Sequence, residues 1–178
     1  MHNSIPAGAA LLLDFIAGFE SNGDYQVIFG NNQDKLPAPI TTMTLNALLS
    51  AQVDWGRRWK SSAAGRYQFI SQTMRGLMQK MYLTGDEIFS PDMQDMLAFQ
   101  LLKGRGYVRY KSGALSRDEF GKLLAMEWAS LPVLSATKGA HRMLARGETY
   151  YAGDKLNRAL VKPERVEELL QRVAAAVA

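Results

Sequence analysis

Leu11-Leu12-Leu13-Asp14-Phe15-Ile16-Ala17-Gly18-Phe19-Glu20-Ser21-Asn22-Gly23-Asp24-Tyr25 is the stretch from which the rest of the chain is read. On a helix, Leu12, Leu13, Ile16, Phe19 and Glu20 share one side, because residues three and four apart stack along a face. The apolar stripe therefore ends in a carboxylate. Ser21-Asn22-Gly23 reads as the helix stop, with Gly23 placed for the left-handed C-terminal conformation. Apolar surroundings and the negative end of the helix dipole both disfavour the Glu20 anion, which is what a general acid near neutral pH requires. A solvated glutamate at a helix end is the alternative, and this segment alone does not decide between them.

Composition narrows the chemistry. The chain has 178 residues, 47% of them hydrophobic and 21% charged, which suits one globular domain with enough core to need no metal or disulfide staple. It holds no cysteine and two histidines, His2 and His141. Thiolate nucleophiles, zinc–thiolate sites and a Ser-His-Asp triad are thereby disfavoured, and carboxylates, hydroxyls and amides remain. No cofactor or metal is expected. The net charge of +4 gathers at Arg57-Arg58, Lys103-Gly104-Arg105 and Arg142 to Arg146, a surface suited to polyanions such as nucleic acid or the bacterial envelope. No nucleic-acid-binding motif accompanies it. The apolar run at residues 8–13 is too short to span a membrane and has no Lys or Arg before it, so neither membrane insertion nor a secretion signal is read.

Helices dominate the remainder, with a β region expected at about residues 24–60. Tyr25-Gln26-Val27-Ile28-Phe29-Gly30 has the β-branched and aromatic content of a short strand. Thr44 is an N-cap for a short helix through Gln52, and Asp54 to Ser62 reads as an exposed connection. Further helices are predicted over Phe69–Met81, from Ser90-Pro91 to Leu102, from the Ser116–Glu119 capping box to Pro132, over Lys138–Arg146, and from Pro163 onward. The class is α+β, mostly helical.

Ser61-Ser62-Ala63-Ala64-Gly65-Arg66-Tyr67-Gln68-Phe69 is the second informative stretch. Small residues let the backbone come close to a bulky ligand, while Tyr67 and Gln68 offer a ring and an amide. Sugars need that mix, since each ring presents an apolar face edged by hydroxyls. A helix N-terminal turn is the competing reading.

Taken in order, Glu20, Tyr25–Gly30, Ser62–Gln68, Phe89-Ser90-Pro91 with Gln94-Asp95, and Trp128-Ala129-Ser130-Leu131-Pro132 resemble the bacteriophage lambda endolysin family of lysozyme-like lytic transglycosylases. The resemblance covers roughly residues 8–135. It implies a lysozyme-like fold, with a helical lobe and a small β lobe flanking a substrate cleft, in one catalytic domain. It implies cleavage of the MurNAc–GlcNAc β-1,4 bond of peptidoglycan, with Glu20 as the single general acid and base. Tyr67 and Gln68 would face the glycan strand on one side, with Trp128 and Ser130 in the opposite wall; Asp24, close after Glu20 in the chain, is a further candidate contact.

Other features stay open. Tyr150-Tyr151 suits sugar stacking or core packing, and Trp128 suits a core position as well as a wall. Asp24, Asp54 and Glu127 are the carboxylates that a hydrolytic muramidase would need as a partner for Glu20. Glu127 is as well read as the partner of an arginine. A glycan-binding phage tail module without activity is the alternative from another class. The expected setting is a monomer, free or in a virion, made in the host cytoplasm and acting on periplasmic peptidoglycan after holin release or from the virion.

Overall fold

The computed structural model describes residues 1–177. Seven α-helices run through the described residues: α1 (Ala7–Glu20), α2 (Leu45–Trp59), α3 (Ser71–Met81), α4 (Pro91–Gly104), α5 (Tyr107–Lys111), α6 (Arg117–Glu127) and α7 (Pro163–Ala175). Strands β1 (Thr137–Lys138) and β2 (Met143–Leu144) pair antiparallel, Thr137 opposite Leu144 and Lys138 opposite Met143. The α+β, mostly helical class expected from the sequence is the one the chain adopts. Among the described residues, no helix is long and apolar enough to cross a membrane.

The chain divides into two compact units: Met1–Ser4 with Glu20–Gln100, and Ile5–Phe19 with the residues from Leu101 on. In the first unit, α2 buries Leu45, Leu48, Gln52 and Trp55, a spacing of three, four and three that keeps one face inward. Thr44 caps it as expected, accepting the Ala47 N–H at 3.2 Å. The helix does not stop at Gln52. Trp55 extends the buried face by another turn, and the end comes at Lys60, whose φ is +65°. The exposed connection expected at Asp54–Ser62 is therefore mostly helix.

The strand expected at Tyr25–Gly30 does not form. Ile28 makes a single bridge to Ala64, and Ala64 another to Phe69. Gly30 and Asn31 both take left-handed backbone, with φ of +71° and +54°, which turns the chain out of any ladder. Residues 29–42 then run through three short 3-10 turns, so the region from 24 to 60 is turns and one helix instead of a small sheet. Its core is aromatic: Tyr67, Phe69 and Phe89 are buried and meet edge to face, with centroids 5.9 and 6.0 Å apart.

The second unit packs α1 against α5 and α7. A Cβ on Gly8 would lie 3.0 Å from the Tyr107 hydroxyl and from the Val173 carbonyl, a tight fit that glycine relieves. Tyr110 stacks on Phe120 at 4.7 Å and donates to the Leu170 carbonyl at 2.8 Å. Lys111 Nζ donates to the carbonyls of Val173, Ala174 and Ala176, placing a cation at the negative end of α7. The Ser116–Glu119 capping box forms in full. Hydrogen bonds from the Ser116 side chain and then its backbone hold Glu119 below the ordinary glutamate range. Its help to α6 is complete above that range and is lost as pH falls through the lowered value.

The helix expected over Lys138–Arg146 is instead the β1–β2 hairpin. Between Thr137 and Arg146 only Gly139 and Leu144 are buried, so the segment has no apolar face for a helix to dock. The Gly139 N–H closes the turn on the Arg142 carbonyl at 2.9 Å.

Candidate active site

Glu20 is the last residue of α1 and is half-buried. The turn beyond it is held from several directions. Asn22 and Gly23 take φ of +53° and +81°, the left-handed exit that Ser21-Asn22-Gly23 predicts. Ser21 is buried and its Oγ donates to the Arg66 carbonyl at 2.8 Å, while Arg66 donates back to the Gly23 carbonyl at 2.9 Å. Asp24 is exposed and accepts the Gln26 N–H on Oδ1 at 2.8 Å, so it closes a turn. The turn after Glu20 and the Gly65-Arg66-Tyr67-Gln68 segment are thus one hydrogen-bonded structure.

Two fully buried polar residues of α4 lie beneath both segments. Gln94 Oε1 accepts the Arg66 N–H at 2.8 Å, and its Nε2 donates to the carbonyls of Tyr25 and Phe89 at 3.1 and 3.2 Å. Asp95 accepts the Tyr67 hydroxyl at 2.7 Å, the Tyr25 hydroxyl at 3.0 and 3.2 Å, and the His2 N–H at 2.9 Å. The Arg66 guanidinium lies over the rings of Tyr25 and Tyr67, 4.8 and 5.8 Å from their centroids. A buried carboxylate needs this density of donors to replace the hydration it has lost.

The arrangement changes the reading of three sequence features. Tyr67 is expected from the sequence to face glycan, yet it is 1% exposed and committed to Asp95. Burial first, and Asp95 second, push its hydroxyl far above the ordinary tyrosine range, so it remains a donor. Gln68 spends Nε2 on the carbonyls of Gly65 and Val27, at 2.8 and 3.2 Å, and its φ of +52° marks the turn it closes. Gly65 is expected to admit a ligand. What comes close is Gln94: at φ +76°, a Cβ on Gly65 would overlap its Oε1 and lie 3.0 Å from Phe89 Cε1. Gly65→Ala is expected to destabilise by roughly 1–2 kcal/mol from the backbone alone, the overlap adding to that. A urea midpoint shift measures it, and a wild-type midpoint would contradict the close packing.

Gln94 and Asp95 stand out in the sequence only as part of a family pattern. Their position one after the other on a helix gives no sign that both are buried. Gln52 is a similar case, fully buried on α2 with Nε2 donating to the carbonyls of Ser62 and Phe69 at 2.7 and 2.8 Å.

The other predicted residues lie in the second unit. Trp128 is 3% exposed at the end of α6, which is its core reading. Trp128→Phe is expected to cost about 0.5–3 kcal/mol of stability with activity retained in the folded fraction; lost activity at an unchanged melting point would contradict this. Ser130 is buried, and its carbonyl accepts the Leu160 N–H at 2.8 Å. Tyr150 and Tyr151 meet edge to face at 5.2 Å, and the Tyr151 hydroxyl donates to the Met126 carbonyl at 2.6 Å. Burial and then the charge of Glu127 raise the Tyr151 hydroxyl above its ordinary range. Glu127 accepts from Nε and NH2 of Arg105, each at 2.8 Å, so it is the partner of an arginine.

The basic clusters are also partly paired. Arg57 meets Asp54 at 3.3 Å, Arg142 meets Glu148, and Arg146 meets Glu164 and Glu167 at 2.7 and 3.1 Å. The charge left over for a polyanion is smaller than the sequence clusters suggest.

The Endolysin family profile matches residues 19–153, and the chain belongs to that family. It is a phage endolysin-like enzyme that degrades peptidoglycan. The match runs past the span of the resemblance seen in sequence and takes in the β1–β2 hairpin and Tyr150-Tyr151. No curated protein and no solved structure matches the chain.

Proposed function

We propose that the chain is a lytic transglycosylase acting on the MurNAc–GlcNAc β-1,4 bond, with Glu20 as general acid and then general base. The observation that carries this is the placement of Glu20. It ends α1, and the chain after it is fixed to Arg66 and to Gln94 and Asp95. A pinned exit keeps the helix end in one geometry, which a proton transfer needs.

In the first step, the Glu20 carboxyl gives its proton to the glycosidic oxygen as the bond to the muramyl C1 breaks. The resulting carboxylate then takes the proton of the muramyl C6 hydroxyl, whose oxygen bonds to C1. The products are a free GlcNAc 4-hydroxyl and a 1,6-anhydro muramyl end, with Glu20 protonated again and no water consumed. The acceptor belongs to the same ring, so its effective concentration exceeds that of a free nucleophile.

Hydrolysis with a second carboxylate is less well supported. Asp24 closes its own turn, Asp54 pairs with Arg57, and Glu127 is held by Arg105. Tyr25, Tyr67 and Asp95 act in this reading as positioning residues. Incubation with purified sacculi tests the enzymatic reading as a whole. Soluble muropeptides are the expected result; binding to sacculi with nothing released would replace it with a glycan-binding module.

A further inference from the structure

We infer that the Arg66 side chain is a further positioning residue for the proton transfers at Glu20, holding the turn beyond the glutamate by its hydrogen bond to the Gly23 carbonyl. The inference rests on the proposed role of Glu20 and adds to it the group that keeps the exit from α1 in one geometry.

Arg66 is tied to its surroundings in two separable ways. Its backbone N–H donates to Gln94 Oε1 and its carbonyl accepts from Ser21 Oγ, both at 2.8 Å. Any residue at this position would keep those two bonds. The side chain adds its own, from NH1 to the Gly23 carbonyl at 2.9 Å. Gly23 is where an outside anchor matters most. Asn22 and Gly23 both have positive φ, and a glycine is the residue least able to hold one backbone conformation by itself. The turn's own hydrogen bond, from the Asp24 N–H to the Ser21 carbonyl, is 3.2 Å long, at the outer edge of the usual range. A charged donor at 2.9 Å is the stronger restraint.

The guanidinium is itself held. It lies over the rings of Tyr25 and Tyr67, 4.8 and 5.8 Å from their centroids. The hydroxyls of both rings donate to the fully buried Asp95. A planar fork can rest on that platform while an edge N–H reaches a carbonyl, whereas a lysine has the charge without the plane. Contacts thus run from Asp95 through two tyrosine rings to the guanidinium, and from there to the carbonyl of the turn after Glu20. A misplacement of about 1 Å can lower a rate about 10²-fold, so loosening this turn reaches the chemistry.

The test compares Arg66→Met, Arg66→Lys and wild type by initial rates on purified sacculi at varied substrate concentration. Methionine keeps apolar contact with the rings but cannot donate to Gly23. Its kcat should fall by about 10–100-fold with KM within about threefold of wild type, because lost positioning appears in the transition state and not in binding. The melting temperature should change little, since both backbone bonds remain. Arg66→Lys should fall between the two. The Gly23 carbonyl carbon signal should move upfield in Arg66→Met as its hydrogen bond is lost, a readout independent of activity. In the Glu20→Gln background Arg66→Met should have no further effect, because it acts through Glu20. A folded Arg66→Met variant with kcat within about twofold of wild type, or one that costs as much without Glu20 as with it, would overturn the inference and leave Glu20 in place. An unmoved Gly23 signal, or a lowered melting temperature with kcat kept in the folded fraction, would overturn it equally. Arg66→Gln gives the same comparison if the methionine variant does not fold. A wild-type rate for Glu20→Gln would remove the catalytic reading and this inference with it, an outcome separate from the others.

Discussion

Glu20→Gln should reduce release of muropeptides from sacculi by about 10²–10⁴-fold, the usual weight of general acid–base catalysis, with little change in stability. Glutamine keeps the shape of the side chain and still hydrogen bonds, but it cannot deliver a proton to a leaving oxygen. Glu20 is half-buried at a helix end, and the frame below it is built by other residues, so the fold should persist. Circular dichroism and a thermal melt establish that the variant is folded. A folded variant that clears sacculi at close to the wild-type rate would take Glu20 out of the reaction.

Asp95→Ala should have the largest effect on stability. It removes a fully buried carboxylate that accepts from Tyr25, Tyr67 and His2, leaving those donors without this acceptor. Each buried donor left without its acceptor costs about 1–3 kcal/mol. Asp95→Asn keeps one carbonyl acceptor and most of the volume, so it should fall between Ala and wild type. Because Tyr25 and Tyr67 lie in the two segments next to Glu20, the folded fraction of Asp95→Asn should show a lower kcat with KM little changed. Urea midpoints and rates on sacculi measure both effects. An Asp95→Ala midpoint within about 0.5 kcal/mol of wild type, the range of an ordinary surface change, would contradict the role given to this carboxylate.

The contrast between those two residues shows what the sequence carries. The place of Glu20 at a helix end is legible because its signal is local: an apolar stripe, a carboxylate at its end and a glycine two residues beyond the serine. The Ser116 capping box, the Thr44 cap and Pro163 at the start of α7 are legible for the same reason. Asp95 is not, since its partners Tyr67 and Tyr25 lie 28 and 70 residues away in the chain. Tyr67 is misread in consequence. A tyrosine beside a glutamine suggests a sugar surface until the buried acceptor beneath it is known.

Secondary structure departs from the sequence reading where tertiary contacts override composition. Tyr25–Gly30 has the residues of a strand, but two left-handed positions and one bridge leave it no partner ladder. Lys138–Arg146 has the polar content of a helix surface without an apolar face to dock, and Gly139 turns it into a hairpin. The α2 extension through Trp55 is hidden by Gly56 and by the run of charge after it.

Digestion of purified sacculi in heavy-oxygen water tests the central claim most directly, with the released muropeptides read by mass spectrometry. Attack by the muramyl C6 hydroxyl consumes no water, so the new ends should be anhydro, one water lighter than a reducing end, and free of label. Reducing ends carrying solvent oxygen as the main product would contradict the transglycosylase. They would leave Glu20 as the acid of a hydrolytic muramidase and make Asp24 the first candidate for its partner.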